Sequence, residues 1–85
     1  MDLIKRTNYE SQLLSEYMQL DVKVDELGSL LDKYLDGTEE MPSIHMYNIL
    51  HTQLVGMSMY LASLKERLIL EGITIPGEQD MLNIN

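Results

Sequence analysis

Apolar residues recur at Leu13, Tyr17, Leu20, Val24, Leu27, Leu31 and Tyr34, in steps that alternate between four and three. Such steps line one face of a helix, whereas a half-buried strand would alternate by two. A second series, Tyr47, Leu50, Leu54, Met57, Leu61, Leu64 and Leu68, follows the same rule. The pattern predicts one helix over about residues 3–36 and another over about 42–71, separated by the polar turn Thr38-Glu39-Glu40-Met41. The first helix is expected to begin near Asp2 or Thr7-Asn8, either of which could cap it. It should end at Asp36-Gly37, with glycine taking the left-handed conformation that closes helices. Pro42 suits the first position of the second helix, where a missing N–H is harmless. Thr38 is the favoured cap, and Ser43 the less favoured because it follows the proline. The second helix should end at Glu71-Gly72. Two seams and a short turn describe an all-α fold, an antiparallel two-helix hairpin over residues 1–72.

Residues 73–85 form a C-terminal tail of a different kind. Ile73-Thr74-Ile75-Pro76 favours extended backbone, because its isoleucines are β-branched and Pro76 restrains the residue before it. Gly77-Glu78-Gln79-Asp80 reads as a turn or linker. Met81, Leu82 and Ile84 have no evident burial site, so the end is either disordered or an arm that docks on a neighbouring subunit.

A hairpin alone leaves many apolar residues without cover. Leu14, Leu30 and Leu35 flank the first seam, and Met46, Ile49, Val55, Met59, Tyr60, Ile69 and Leu70 lie off the second. Monomers rarely tolerate such patches. Gly28 and Gly56 stand inside helices at a cost of about 1 kcal/mol each relative to alanine, which close helix approach or neutral drift would explain. The expected assembly is therefore a homo-oligomeric helical bundle, with a dimeric four-helix bundle as its simplest closed form.

Composition narrows the function. Fourteen acidic residues against six basic ones give a net charge of −8, which disfavours direct binding to DNA or RNA. There is no cysteine, so no disulfide or thiolate metal site can form. No apolar run approaches a membrane span, and Met1 to Arg6 lacks the apolar core of a signal peptide. No catalytic constellation appears, so the protein is not expected to be an enzyme or to need a cofactor. His45 and His51 are six residues apart, the wrong spacing for joint metal ligation on a helix. The seven methionines read as adaptable core filler.

Folding the chain about residue 39 gathers Lys5, Arg6, Lys65 and Arg67 at the open end of the hairpin, with Tyr9 and Tyr60 near them. Arginine forks grip phosphate and aromatic rings stack on bases, so these six residues are candidates for binding an anionic, planar ligand. Asp2, Glu10, Glu66 and Glu71 share this end. Helix-surface ion pairs at i, i+4 spacing (Asp2–Arg6, Arg6–Glu10, Arg67–Glu71) account for the same charges equally well.

Tyr9-Glu10, Leu13-Leu14 and the seam to Leu35, then Gln53-Leu54, Met57, Tyr60, Leu64 and Arg67, together resemble the small helical-hairpin proteins of tailed phages. These include a crAss-like phage group similar to the hairpin domain of anti-CBASS and anti-Thoeris sponge proteins. The likeness spans about residues 5–70. It implies an anti-defence protein in the cytoplasm of an infected bacterium, one that holds a cyclic nucleotide or ADP-ribose-derived immune signal between subunits without cleaving it. Within the matching motif, Arg67 is the basic residue and Tyr60 the aromatic one. The chain departs from the sponges in lacking a Gly-, Arg- or Ser-rich loop between its helices. A direct protein–protein inhibitor of a host defence protein and a structural phage component are the alternatives.

Overall fold

The computed structural model describes residues 3–77, with side chains from residue 7 onward. It contains helix α1, Leu3–Asp36, and helix α2, Ile44–Leu70, packed against each other, with no strand among the described residues. The Met81–Asn85 segment, expected to be either disordered or a docking arm, lies outside the described residues.

Each break in the chain has a local chemical cause. Gly37 adopts φ +84°, as the end of α1 requires. Thr38 then donates from its backbone N–H (2.9 Å) and its hydroxyl (2.7 Å) to one oxygen of Asp36. Those two bonds, the side-chain one first, together with Lys33 hold the Asp36 carboxyl below its ordinary value.

Because Thr38 is committed to Asp36, it does not cap α2. The cap is Ser43, whose hydroxyl oxygen accepts the Met46 N–H at 3.1 Å. This corrects the expectation drawn from the sequence. A proline restrains the residue before it, not the one after, so Ser43 is free to take the extended conformation of an N-cap (φ −54°, ψ 152°). Pro42 accordingly precedes the cap rather than opening the helix. Replacing Ser43 with alanine is expected to cost about 1 kcal/mol. In a thermal melt followed by circular dichroism, that is a fall of about 4–8 °C.

The end of α2 is a Schellman motif. Gly72 sits at φ +71°, its N–H donates to the Ile69 carbonyl (3.1 Å), and the Ile73 N–H donates to that of Leu68 (2.9 Å). The motif turns the chain back across the hairpin. Ile75, only 8% exposed, joins Leu13, Tyr17, Leu64 and Leu68 in one core cluster, with Ile73 packed against it. The first residues of the tail are therefore part of the hairpin's own core. Ile75→Ala should cost about 2 kcal/mol through lost burial and the cavity left behind, visible as a lower midpoint in urea.

Apart from Leu31, which is buried near the turn, the core is concentrated at the open end of the hairpin. Leu64 and Leu68 are fully buried there, whereas Leu20, Val24, Leu27, Leu50, Leu54, Met57 and Leu61 along the middle are half-buried. Four methionines depart from the expected role, since Met18, Met41, Met46 and Met59 are exposed, whereas Met57 is half-buried in the seam. A two-layer hairpin has one shared face, and side chains more than about a quarter-turn from it have nothing to pack against.

Gly28 meets Leu54 at ordinary contact distance, 4.0 Å from where a Cβ would stand. A Cβ at Gly56 would meet nothing within 4 Å. Helix approach within the hairpin thus explains neither glycine strongly, and Gly56 not at all.

Candidate functional site

One flank of the hairpin is defined by two columns of side chains at seven-residue spacing. On α1 the column is Tyr9, Glu16, Lys23 and Leu30; on α2 it is Met46, Gln53, Tyr60 and Arg67. The helices run antiparallel, so the columns meet in reverse order, Tyr9 with Arg67 and Glu16 with Tyr60. Each pair sums to 76, and the same register sets Lys23 opposite Gln53. The heptad spacing keeps all these residues on one edge of the seam, outside the core but bordering it.

The contacts along this flank are specific. Arg67 Nη2 donates to the Tyr9 hydroxyl oxygen at 3.2 Å, and that hydroxyl donates onward to Glu71 Oε2 at 3.0 Å. The Tyr9 hydroxyl, followed by the nearby Glu71 and Glu16 carboxylates, raises Arg67 above its ordinary pKa despite an opposing desolvation effect. It is a permanent cation. One heptad along, the Tyr60 hydroxyl donates to Glu16 Oε2. Gln19 Nε2 donates to Ser15 Oγ at 3.0 Å.

Beside these contacts runs an open groove. Its first section, about 400 Å³, is lined by Gln12, Ser15, Glu16, Gln19, Lys23 and Tyr60, with Leu20 as its floor. A second section, about 300 Å³, continues past Lys23 and Glu26 to Leu27, Leu30, Gln53 and Met57. Lys23 borders both. The groove thus offers an ammonium group, an aromatic face, several amides and an apolar floor. The Glu16 and Glu26 carboxylates line it as well, so such a set can hold a planar, hydrogen-bonding molecule whose negative charge meets Lys23.

The structure brings Tyr9, Tyr60 and Arg67 onto this one flank. Lys5 and Arg6 belong to the first turns of α1, and their side chains lie outside the described residues. Lys65 is half-buried and stands seven residues from Ser58, which lines a groove on the opposite flank with Leu54 and Asp32. The hairpin does not place Lys65 beside Tyr60. Sequence reasoning missed Lys23, Glu16 and Gln53 as groove residues. The signal was the matched heptad recurrence of the two columns. Elsewhere, Tyr47 and His51 stack with ring centroids 6.4 Å apart. No group of three or more His, Asp or Glu residues is placed to hold a metal among the described residues.

A family model, Sequestin, matches residues 7–70. The chain belongs to the Sequestin family. The match takes in both helices and agrees with the resemblance to sequestering anti-defence hairpins. A family so named is one of binding rather than catalysis. The tail that supplies Ile75 and the Glu71 carboxylate fall outside the matched residues. No curated protein and no solved structure matches the chain. No helix among the described residues is long and apolar enough to cross a membrane.

Proposed function

We propose that this Sequestin-family protein sequesters a cyclic nucleotide-type immune signal, or a related ADP-ribose derivative, and withholds it intact from a host defence effector. The reading rests chiefly on one observation: Tyr60 and Arg67, with Tyr9, share one groove-bordering flank inside the residues matched to a sequestering family. A cyclic nucleotide carries phosphate charge and flat, edge-polar bases. Lys23, or Arg67 about 21 Å further along the flank, answers the charge, Tyr60 the stacking beside the groove, and Gln12, Gln19 and Gln53 the base edges.

Bound ligand phosphate would compete with the Tyr9 hydroxyl oxygen for the Arg67 N–H and with Glu71 for the Tyr9 hydroxyl proton. Lys5, Arg6 and Lys65 stay further ligand-binding candidates in this reading for their positive charge. Two or more copies of the hairpin would cover the groove, because a ligand held on one open flank stays largely wet. Function would lie in the cytoplasm of an infected bacterium.

Calorimetric titration and thermal shift against cyclic di- and trinucleotides and ADP-ribose isomers test this reading. The expected result is micromolar or tighter binding of at least one of them, with the ligand recovered unchanged after denaturation. Failure of every member to bind at micromolar concentration removes the proposal. Stoichiometric retention of one host protein from lysate would then favour the direct inhibitor.

A further inference from the structure

The outward side of α2 carries a second heptad seam that the hairpin leaves bare. Ile49, Thr52, Gly56, Met59, Ser63 and Leu70 keep to steps of three, four or a full heptad. Ile49 is 48% exposed, Met59 68% and Leu70 86%. Val55 and Ile69, also exposed, widen the stripe on one side. From Met41 to Leu64 the chain has no Asp, Glu, Lys or Arg, although the whole chain carries a net −8. An exposed helix face with no charge for so long, in so acidic a protein, is a face that another surface covers.

The seam is complementary to itself in one orientation. Laid antiparallel about a two-fold axis through Gly56, it sets Gly56 against Gly56 of the second copy. Thr52 then meets Met59, Ile49 meets Ser63, and His45 meets Glu66, each from the opposite copy. Away from the Gly56 crossing, Met59 on Thr52 and Ile49 on Ser63 each join a large side chain to a small one, and the outermost pair joins a carboxylate to an imidazole. A parallel pairing would set Met59 on Met59 and Glu66 on Glu66, bulk on bulk and like charge on like. Gly56 is a second, independent sign. It costs the helix about 1 kcal/mol relative to alanine, and within the hairpin a Cβ there would touch nothing. A close crossing of two helices at that point gives it a use.

We propose that two copies of this chain pack α2 against α2, antiparallel, about a two-fold axis at Gly56. The occupant of the face is a second copy rather than a charged partner, because the acids that would attract a basic protein are concentrated on α1 and the turn. The column of Gln53, Tyr60 and Arg67 lies between the seam facing α1 and the seam facing the second copy. Dimerisation therefore raises a wall beside the groove. The inference gives the self-association reading its interface and does not depend on which ligand binds.

Light scattering on the unliganded full chain, over a dilution series, is the first test. Wild type should weigh twice 9.8 kDa. Gly56→Leu, which raises helix propensity, should keep its helical circular dichroism while the dimer dissociation constant rises on the order of 100-fold. His45→Glu should weaken the dimer, and adding Glu66→Lys should restore it. The chain has no native cysteine, so Gly56→Cys should cross-link under mild oxidation, while Ser29→Cys on α1 should not. A wild type of single-copy mass overturns the proposal. So does an assembly that ignores Gly56→Leu and fails to cross-link through position 56, although self-association itself would then stand. Ligand titration of the same samples reports on the sequestration reading separately.

Discussion

Leu64→Ala is expected to abolish most of the cooperative thermal transition, whereas Leu35→Ala, at an exposed position on α1, should leave it nearly unchanged. Leu64 is fully buried, in the cluster with Leu13, Tyr17, Leu68 and Ile75. Truncating a leucine in such a place removes its transfer free energy and leaves a cavity, together about 2–5 kcal/mol. The upper half of that range applies, because Leu64 is fully buried in a cluster built from both helices and the tail. A domain of this size has roughly 5 kcal/mol to lose and melts about 4–8 °C lower for each one lost. Leu35 is 65% exposed and lies off the α2 seam, so its truncation removes little burial. Melts followed by circular dichroism at a common concentration check the contrast. Equal, small shifts for both variants would mean that the core does not lie where the cluster puts it.

Arg67→Ala should weaken ligand binding about 10- to 100-fold while leaving fold and subunit mass unaltered. The guanidinium is exposed and its partner is a tyrosine hydroxyl. Losing that solvent-screened contact leaves stability nearly unchanged. A charged hydrogen bond to ligand phosphate is worth about 1.5–3 kcal/mol, which sets the expected range. Arg67→Lys should recover only part of the loss, since an ammonium cannot reproduce the two-pronged fork. Calorimetry on the best ligand of the panel, with light scattering on the same samples, provides the check. Unchanged affinity in Arg67→Ala would remove this residue from the site and leave Lys23 and Tyr60 as its centre.

The candidate site was half legible in the sequence. Folding a hairpin about its turn necessarily brings Tyr9 and Arg67 to the same end, and their hydrogen bond follows from that. Tyr60 was singled out for its chemistry, but its partner Glu16 was not. Periodicity says which face a residue occupies, while the pairing of one heptad with another depends on helix register. That register emerges only when both seams close together. Lys23 went unnoticed for the same reason, being a surface lysine until Gln53 and Met57 stand across from it.

Among the buried residues, Leu13, Tyr17, Leu31, Leu64 and Leu68 were all seam positions, because a 3.6-residue period maps directly onto one helix face. Ile75 was not, since it lies beyond the last helix, where no period operates. What buries it is the direction in which the Schellman turn at Gly72 sends the chain, a long-range result of how α2 lies on α1. The choice of Ser43 over Thr38 as cap was likewise settled by a competing local bond to Asp36. Sequence alone therefore determined two helices, their seams, the glycine stop of each helix and the surplus of apolar surface, all set by interactions within a few residues. The tertiary structure decided register, the docking of the tail and the shape of the groove. Each of those depends on contacts between residues far apart in the chain, and no local pattern encodes such a contact.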